Sequence, residues 1–143
     1  MKYLYFAYGS NLNVEVMNLR CPGAAELSAA VLPGWRLAER FYADVEPGEG
    51  SDCVNGALYA ISADALESLD RCEGYPELYT RESLPVVDRE GVRREALVYI
   101  MTEKYRRELG GRPFPAEYRE ICSAGAVHWG IPDFFASHCG ADA

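Results

Sequence analysis

The sequence is short of positive charge and of long apolar runs. Its 143 residues include 14 Lys and Arg against 22 Asp and Glu, which gives a formal net charge of −8. Nucleic acids and anionic membranes bind basic surfaces, so we expect neither as a partner. No apolar run approaches the roughly 20 residues of a membrane helix. The opening residues, KYLYFAYG, lack the length and cleavage site of a signal peptide, and we therefore expect a cytoplasmic protein.

Histidine and paired cysteine are also scarce. The two histidines, His128 and His138, are too few and too far apart to form a recognisable metal site. The five cysteines are Cys21, Cys53, Cys72, Cys122 and Cys139. Their number is odd, and no two have the C-x-x-C spacing of a zinc or redox motif. We expect no bound metal, mostly buried and reduced thiols, and a fraying chain end around His138.

Apolar patterning and turn residues predict five or six strands with helices between and after them. Strands are predicted over residues 2–8, 24–32, 35–42, 54–61, 79–87 and 92–101. Helices are predicted over residues 13–19, 116–127 and 132–138, and from a cap at Ser62 to about Glu73. Residues 46–51 are expected to be a surface loop, and 103–115 a loop or a frayed helical piece. Without regular β-α-β alternation, this order indicates one α+β domain, residues 1–143, with a mixed, curved sheet.

The opening segment KYLYFAYGSNLN contains the first candidate site. Residues 2–8 have the composition of a buried strand, which stops at Gly9, Ser10 and Asn11. Gly9 tolerates positive φ and close backbone approach, while Ser10 and Asn11 can hydrogen-bond to backbone or to a ligand. A helical pattern follows, and a helix N-terminus adds partial positive charge. The segment is therefore either a seat for an anionic or carbonyl group or simply a turn that ends a strand.

A second candidate is Glu73, at the end of an apolar-faced helix and followed by Gly74. A helix C-terminus is partially negative, which raises the pKa of a carboxylate there and makes it a better base near neutral pH. A solvated helix-end glutamate is the alternative. Asp70, three residues earlier, forms a carboxylate pair with Glu73 that suggests glycoside hydrolysis, but no aromatic sugar platform is evident around it.

Three segments resemble motifs of the γ-glutamylcyclotransferase family. YGSNL at residues 8–12, directly after an N-terminal strand, is similar to the substrate loop of that family. LDRCEGY at residues 69–75, followed by YTR at 79–81, resembles its motif of a helix-end Glu-Gly with a later Tyr. YREICSAGAVHWGIP at residues 118–132 is similar to its C-terminal segment. The three matches follow the family order and together span most of the chain.

The resemblance implies a small, mixed, barrel-like sheet with flanking helices, and an enzyme that cyclises γ-glutamyl amides. In that reaction the α-amine of the substrate attacks its own γ-carbonyl, which releases 5-oxoproline and a free amine. The family needs no protein nucleophile, metal or cofactor for this. By resemblance, Glu73 is the catalytic acid/base. The substrate-binding residues would be Tyr8, Gly9, Ser10, Asn11, Leu12, Tyr79 and Tyr118.

The sequence leaves three alternatives open. Arg20 and Arg81 are either partners of the substrate's α-carboxylate or exposed arginines. The protein is either a monomer or a homodimer. Its expected partner is a small γ-glutamyl molecule, and the alternative to an enzyme is a non-catalytic module that binds a small carboxylate or amide in the same loop.

Overall fold

A closed barrel of five strands is the centre of the fold. The computed structural model describes residues 2–136. Its strands are β1 (Lys2–Ala7), β2 (Ala25–Pro33), β3 (Trp35–Arg40), β4 (Tyr42–Pro47), β5 (Cys53–Ser62), β6 (Tyr79–Asp88) and β7 (Arg93–Met101). The order around the barrel is β1-β5-β2-β6-β7, and all its pairs are antiparallel except the seam between β1 and β7. The α+β class and the barrel-like mixed sheet are thereby confirmed.

Strand β5 is the most buried strand of the barrel. It pairs with β1 from Lys2↔Ser62 to Ala7↔Ala57, and on its other side with β2. Because neighbours cover both of its edges and most of its side chains are buried, it has the nearly continuous apolar sequence CVNGALYAIS rather than a strict alternation. The hydrophobic core is built around this strand and includes the wholly buried Tyr59 and Phe6.

In the described part of the chain, four helices flank the barrel: α1 (Val14–Arg20), α2 (Ala63–Glu73), α3 (Glu103–Leu109) and α4 (Ala116–His128). As predicted, Ser62 caps α2, because its hydroxyl accepts a hydrogen bond from the Ala65 amide at 3.1 Å. Gly74 ends α2 with a φ of 68°, a conformation that favours glycine. Within residues 2–136, no helix is long and apolar enough to cross a bilayer.

The direction of α2 determines where Glu73 lies. Strand β5 runs antiparallel to β1 and therefore ends beside the first residue of β1. Helix α2 starts there and returns over 11 residues, about 16 Å at 1.5 Å per residue. Strand β1 spans 6 residues, about 20 Å at 3.3 Å per residue. The last residue of α2 thus reaches the level at which β1 ends.

Strands β3 and β4 form a separate two-stranded sheet, and here the prediction from sequence is wrong. Instead of one strand over residues 35–42, the chain reverses at Phe41, and Arg40 pairs with Tyr42. Phe41 has a φ of 63°, which is rare for a residue other than Gly, Asn or Asp. Because none of these residues stands at the turn, the sequence carries no signal for the hairpin. The predicted loop at 46–51 begins only after Pro47.

Two helix predictions also need correction. Residues 103–109 form helix α3 rather than a loop, and Arg106 of that helix bonds to Asp44 of β4 at 3.1 Å, a long-range contact invisible to local patterning. The helix predicted over residues 132–138 is absent from its described part, residues 132–136. Asp133 there accepts a hydrogen bond from the Phe135 amide at 2.9 Å, a local turn that competes with a helix.

The cysteines differ in state. Cys21, Cys72 and Cys122 carry free thiols, and Cys21 and Cys122 are buried. Burial raises the pKa of Cys21 to about 11 and that of Cys122 to about 12, so both stay protonated at neutral pH. Cys53 is disulfide-bonded, and the expectation of reduced thiols is wrong at that residue. The predictions for His138 and Cys139 lie outside the described residues.

Gly56 of β5 lies where β1 approaches most closely. A Cβ at this position would clash with the carbonyl oxygen of Ala7 and lie 2.5 Å from Cζ of Phe6. We expect Gly56→Ala to push this strand pair apart and to lower the free energy of unfolding by roughly 1–3 kcal/mol. Urea denaturation measures the change. Equal midpoints for the wild type and Gly56→Ala would contradict this close packing.

Candidate active site

Residues that are distant in sequence line one small inner cavity beside the end of β1. Its volume is about 30 Å³. The lining residues are Tyr5, Tyr8, Gly9, Ser10, Asn11, Ala43, Glu73, Tyr79, Tyr99 and Tyr118. Every site residue predicted from the sequence is among them except Leu12. The loop at residues 9–12, which we call the cradle, therefore meets Glu73 in space, 62 positions along from Asn11.

A larger outer cleft adjoins the inner cavity. It has a volume of about 230 Å³. The residues that line both spaces are Ser10, Glu73, Tyr79 and Tyr118. The outer cleft alone is lined by Arg20, Tyr42, Cys72 and Leu78. Glu73 therefore lies between a confined polar space and a wider one that opens from it.

Among the described residues, the carbonyls of the cradle accept hydrogen bonds, whereas three of its amides donate none. The Asn11 carbonyl accepts a hydrogen bond from Tyr59 Oη at 2.9 Å, and the Leu12 carbonyl accepts one from Trp129 Nε1 at 3.0 Å. Leu12 is wholly buried, which places it in the core beneath the loop and outside both spaces. Within the described residues, no carbonyl or side chain accepts a hydrogen bond from the amides of Gly9, Ser10 and Asn11. Such amides can bind an anionic or carbonyl oxygen.

Gly9 is required by the close approach of other elements. Its φ is −124°, outside the left-handed region that favours glycine. A Cβ at this position would lie 2.9 Å from Tyr118 Oη and 3.0 Å from Cβ of Ala43. The absence of a side chain therefore lets helix α4 and strand β4 reach the cradle and close the inner cavity.

The side chain of Asn11 links the cradle to Glu73. Its Nδ2 donates to Glu73 Oε2 at 3.1 Å and to Tyr5 Oη at 2.9 Å. Its Oδ1 accepts from Arg20 Nη1 at 2.8 Å, and the same nitrogen donates to Ser10 Oγ at 3.0 Å. Since guanidinium can only donate, Arg20 fixes the orientation of the Asn11 amide with its NH2 group toward Glu73.

Burial raises the pKa of Glu73 from an ordinary 4.5 to about 7. The positive charge of Arg20 and the hydrogen bond from Asn11 lower this pKa, and the negative charge of Asp70 adds to the increase. The sequence predicts the same direction, but from the helix C-terminus. The largest cause in the structure is instead the loss of water around the carboxylate. Glu73 can therefore both accept and release a proton near neutral pH.

The three predicted tyrosines present different groups to the cavity. Tyr8 donates its hydroxyl proton to the Tyr99 carbonyl at 2.6 Å, and Tyr79 donates its proton to the Ala43 carbonyl at 2.6 Å. These two hydroxyls therefore offer only lone pairs to a ligand. Tyr118 Oη instead accepts from the Ala43 amide at 3.0 Å, and its hydroxyl also has a side-chain hydrogen bond with Cys122, one helical turn away. Burial raises the pKa of all three hydroxyls, so they are neutral.

Neither arginine considered from the sequence is a freely solvated side chain. Arg20 bonds to the cradle, and Arg81 makes a bidentate pair with Asp70 at 2.9 and 3.0 Å. Asp70 also accepts from Tyr99 Oη at 2.6 Å. Because its carboxylate is engaged in this way and lines neither space, Asp70 and Glu73 do not form the open carboxylate pair of a glycosidase.

Three of the residues that line the inner cavity were not predicted from the sequence. Ala43 offers the two tyrosines only backbone atoms, which no residue-type signal reveals. Tyr5 and Tyr99 face each other across the parallel seam with ring centroids 5.8 Å apart. Their only signal is aromatic character, which they share with most of the ten tyrosines of the chain.

The site offers proton transfer beside a set of hydrogen-bond donors. Glu73 provides a carboxylate that titrates near neutral pH, and the cradle provides unpaired amides. Across residues 2–136, no cluster of three or more His, Cys, Asp or Glu side chains could hold a metal ion. The groups present suit a reaction in which a proton moves between two nitrogens while a carbonyl oxygen gains negative charge.

The chain is similar to known proteins in sequence and in fold. A family model described as "Gamma-glutamyl cyclotransferase, AIG2-like" matches residues 5–119. The gamma-glutamylcyclotransferase of Mus musculus is 30% identical to this chain, and the match covers 91% of this chain and 73% of the mouse protein. The structure of the human protein loc79017 superposes with a TM-score of 0.82 at 29% identity and covers 92% and 82% of the two chains. A structure named gamma-glutamyl cyclotransferase has a TM-score of 0.77 at 27% identity, with the same coverage.

The raised pKa of Glu73 predicts how stability depends on pH. Folded Glu73 holds its proton up to about pH 7, whereas the ordinary carboxyl loses it near 4.5. Between these values the folded state binds more protons, so the stabilising contribution is complete at acid pH and is lost as pH rises through about 7. Relative to the wild type, we expect Glu73→Gln to raise the free energy of unfolding at pH 8 by roughly 1–3 kcal/mol, and by less at pH 5.

Urea denaturation at both pH values measures this difference. The matched control is Glu67→Gln, because Glu67 lies on the exposed face of the same helix. The difference in the free energy of unfolding between Glu67→Gln and the wild type should be the same at pH 5 and at pH 8. A Glu73→Gln protein whose stability relative to the wild type is also independent of pH would show that burial does not perturb Glu73.

Proposed function

The chain belongs to the "Gamma-glutamyl cyclotransferase, AIG2-like" family, and on that premise we propose that it cyclises γ-glutamyl amides to 5-oxoproline and a free amine. One observation carries the proposal. A carboxylate that titrates at about pH 7 shares a small cavity with a loop of unpaired amides and is hydrogen-bonded to that loop. The reaction requires these two elements together, a proton carrier and a seat for a carbonyl oxygen.

In the proposed reaction Glu73 is the catalytic proton carrier. It takes a proton from the α-ammonium of the substrate through Oε1, since Oε2 already accepts from Asn11. The free amine attacks the γ-carbonyl, the new C–N bond closes the ring, and the old amide C–N bond breaks. Glu73 gives its proton to the departing nitrogen and then carries the second proton, which the ring nitrogen loses as the lactam forms, to the released amine. The amine therefore leaves as an ammonium ion, the carboxylate is regenerated and no water is consumed. Holding the reacting groups together in this way is worth up to roughly 7–11 kcal/mol.

The remaining site residues would bind and orient the substrate. The amides of Gly9, Ser10 and Asn11 would hold the γ-carbonyl oxygen and stabilise the oxyanion that forms there. The lone pairs of Tyr8 and Tyr79, whose protons are held by backbone carbonyls, would accept from the α-ammonium. Tyr118 would turn its hydroxyl proton from Cys122 to the substrate. Leu12, which the resemblance places in the cradle, would support the loop from the core.

The two spaces suggest how the substrate is divided. The inner cavity and the rim it shares with the outer cleft would hold the γ-glutamyl group. The outer cleft, at about 230 Å³, would receive the leaving amine, and both an amino acid and an alkylamine fit such a volume. A cytoplasmic location and the absence of nucleic-acid and membrane partners stay predictions from the sequence.

A panel of γ-glutamyl amino acids and γ-glutamylamines, assayed for 5-oxoproline, tests the function. We expect turnover of at least one substrate, and a loss of roughly 10²–10⁴-fold in Glu73→Gln, which cannot accept the ammonium proton. Glu67→Gln on the same helix is the control and should keep wild-type turnover. Wild-type protein that is stabilised against heat by these compounds without converting them would instead be a non-catalytic binding module.

The pH dependence of kcat/KM tests the role of Glu73 separately. Because the base must be deprotonated, we expect kcat/KM to rise with pH and to level off above about pH 7. Arg20 lowers the pKa of Glu73, so Arg20→Met should move the inflection to higher pH. Arg71→Met, a change at an exposed arginine of the same helix, should leave it in place. A profile without an inflection near neutral pH would exclude Glu73 as the base.

A further inference from the structure

The two-stranded sheet contributes to the site although it lies outside the barrel. Ala43 of β4 is buried and lines the inner cavity. Its carbonyl accepts the Tyr79 hydroxyl at 2.6 Å, and its amide donates to the Tyr118 hydroxyl at 3.0 Å. One peptide segment thus fixes two hydroxyls that come from β6 and α4. Their positions depend on how firmly Ala43 is held.

Asp44, the next residue along the chain, connects Ala43 to the barrel. Its side chain is 0% exposed. It accepts hydrogen bonds from the Met101 amide of β7 at 2.8 Å, from Arg106 Nε of α3 at 3.1 Å and from Arg40 Nη1 of β3 at 2.7 Å. Arg106 also donates to the Val45 carbonyl at 3.1 Å. The residues on either side of Asp44 are therefore held in place relative to three other elements.

Direct backbone pairing does not hold this sheet against the barrel. Among the described strands, β3 and β4 pair only with each other, so their attachment depends on side chains and single backbone contacts. A buried carboxylate is costly unless it is fully paired. Asp44 meets that condition with two arginines and one amide. The charge is thus placed where it can lock the hairpin in one position, which an apolar contact would do less specifically.

We propose that Asp44 is a positioning residue of the active site, holding the Ala43 backbone so that it fixes the hydroxyls of Tyr79 and Tyr118. This inference rests on the proposed function for its catalytic consequence. Asp44 touches no substrate-lining space itself, since it lies outside the residues that line the inner cavity and the outer cleft. Its contact with the site is made through the backbone of Ala43, the residue before it in the chain.

The test compares Asp44→Asn with Arg36→Gln. Asparagine keeps the shape of the side chain and can still accept the hydrogen bond from the Met101 amide. Because it carries no charge, it weakens the interactions with Arg40 and Arg106. Arg36 pairs with Glu46 on the exposed side of the same hairpin, so its replacement removes an ion pair without touching Asp44. Per folded molecule, we expect Asp44→Asn to lower kcat/KM for the best panel substrate roughly 10- to 100-fold, and Arg36→Gln to leave it unchanged.

A double-mutant cycle distinguishes positioning from stability. If Asp44 acts through the tyrosine contacts, Tyr118→Phe should cost much less activity in the Asp44→Asn background than in the wild type. Fully additive losses would contradict the proposal. Unchanged kcat/KM in folded Asp44→Asn would reduce Asp44 to a structural ion pair and overturn it.

Tyrosine NMR gives a readout that needs no activity. In protein with ¹³Cζ-labelled tyrosine, Asp44→Asn should shift the signals of Tyr79 and Tyr118, assigned by Tyr→Phe variants, while Arg36→Gln should not. If the wild type turns over no panel substrate but Asp44→Asn still shifts these two signals, the proposed function is refuted and the positioning role is supported. Unmoved signals would refute the positioning role whatever the activity. If Asp44→Asn does not fold, Arg106→Gln removes the same connection from its partly exposed side and is measured in the same way.

Discussion

The hydrogen bond from Asn11 Nδ2 to Glu73 Oε2, at 3.1 Å, is the contact on which the site depends. It joins the loop after the first strand to the end of a helix more than sixty residues later. It forms only because β5 runs antiparallel to β1 and α2 returns along the barrel by nearly the same length. The barrel therefore brings the end of β1 and the end of α2 to the same level. Most of the cavity lining is arranged around this pair.

The ionisation of Glu73 reflects opposed effects, of which the loss of water is the largest. Loss of water favours the neutral acid, while Arg20 and Asn11 favour the carboxylate. Full burial without Arg20 would make the group too weak an acid to be ionised at neutral pH, and full exposure would make it too weak a base. The guanidinium has a second task, since it also orients the Asn11 amide. One side chain thus couples the charge of the base to the geometry of the loop.

Much of the site could be predicted because its signals are local. The end of the first strand, the cap and C-terminal glycine of α2, and the Glu-Gly pair are all readable over a few residues. What could not be predicted depends on long-range contacts. Phe41 is not a typical turn residue, so the sequence predicts neither the turn nor strand β4. The backbone contacts of Ala43 could therefore not be predicted either. Leu12 shares the motif of the cradle, but a single turn of 3₁₀ helix directs it into the core.

The fixed length of α2 limits which insertions and deletions the chain can tolerate. Ser62 and Gly74 define both ends of this helix, and each residue turns a helix by about 100° and lengthens it by about 1.5 Å. One residue gained or lost inside α2 would therefore swing the final carboxylate off the cradle, even with the barrel intact. The loop after β4 has no such constraint. Insertions and deletions among related sequences should therefore occur in that loop and not in the helix. The number of residues between Ser62 and Gly74 should stay constant.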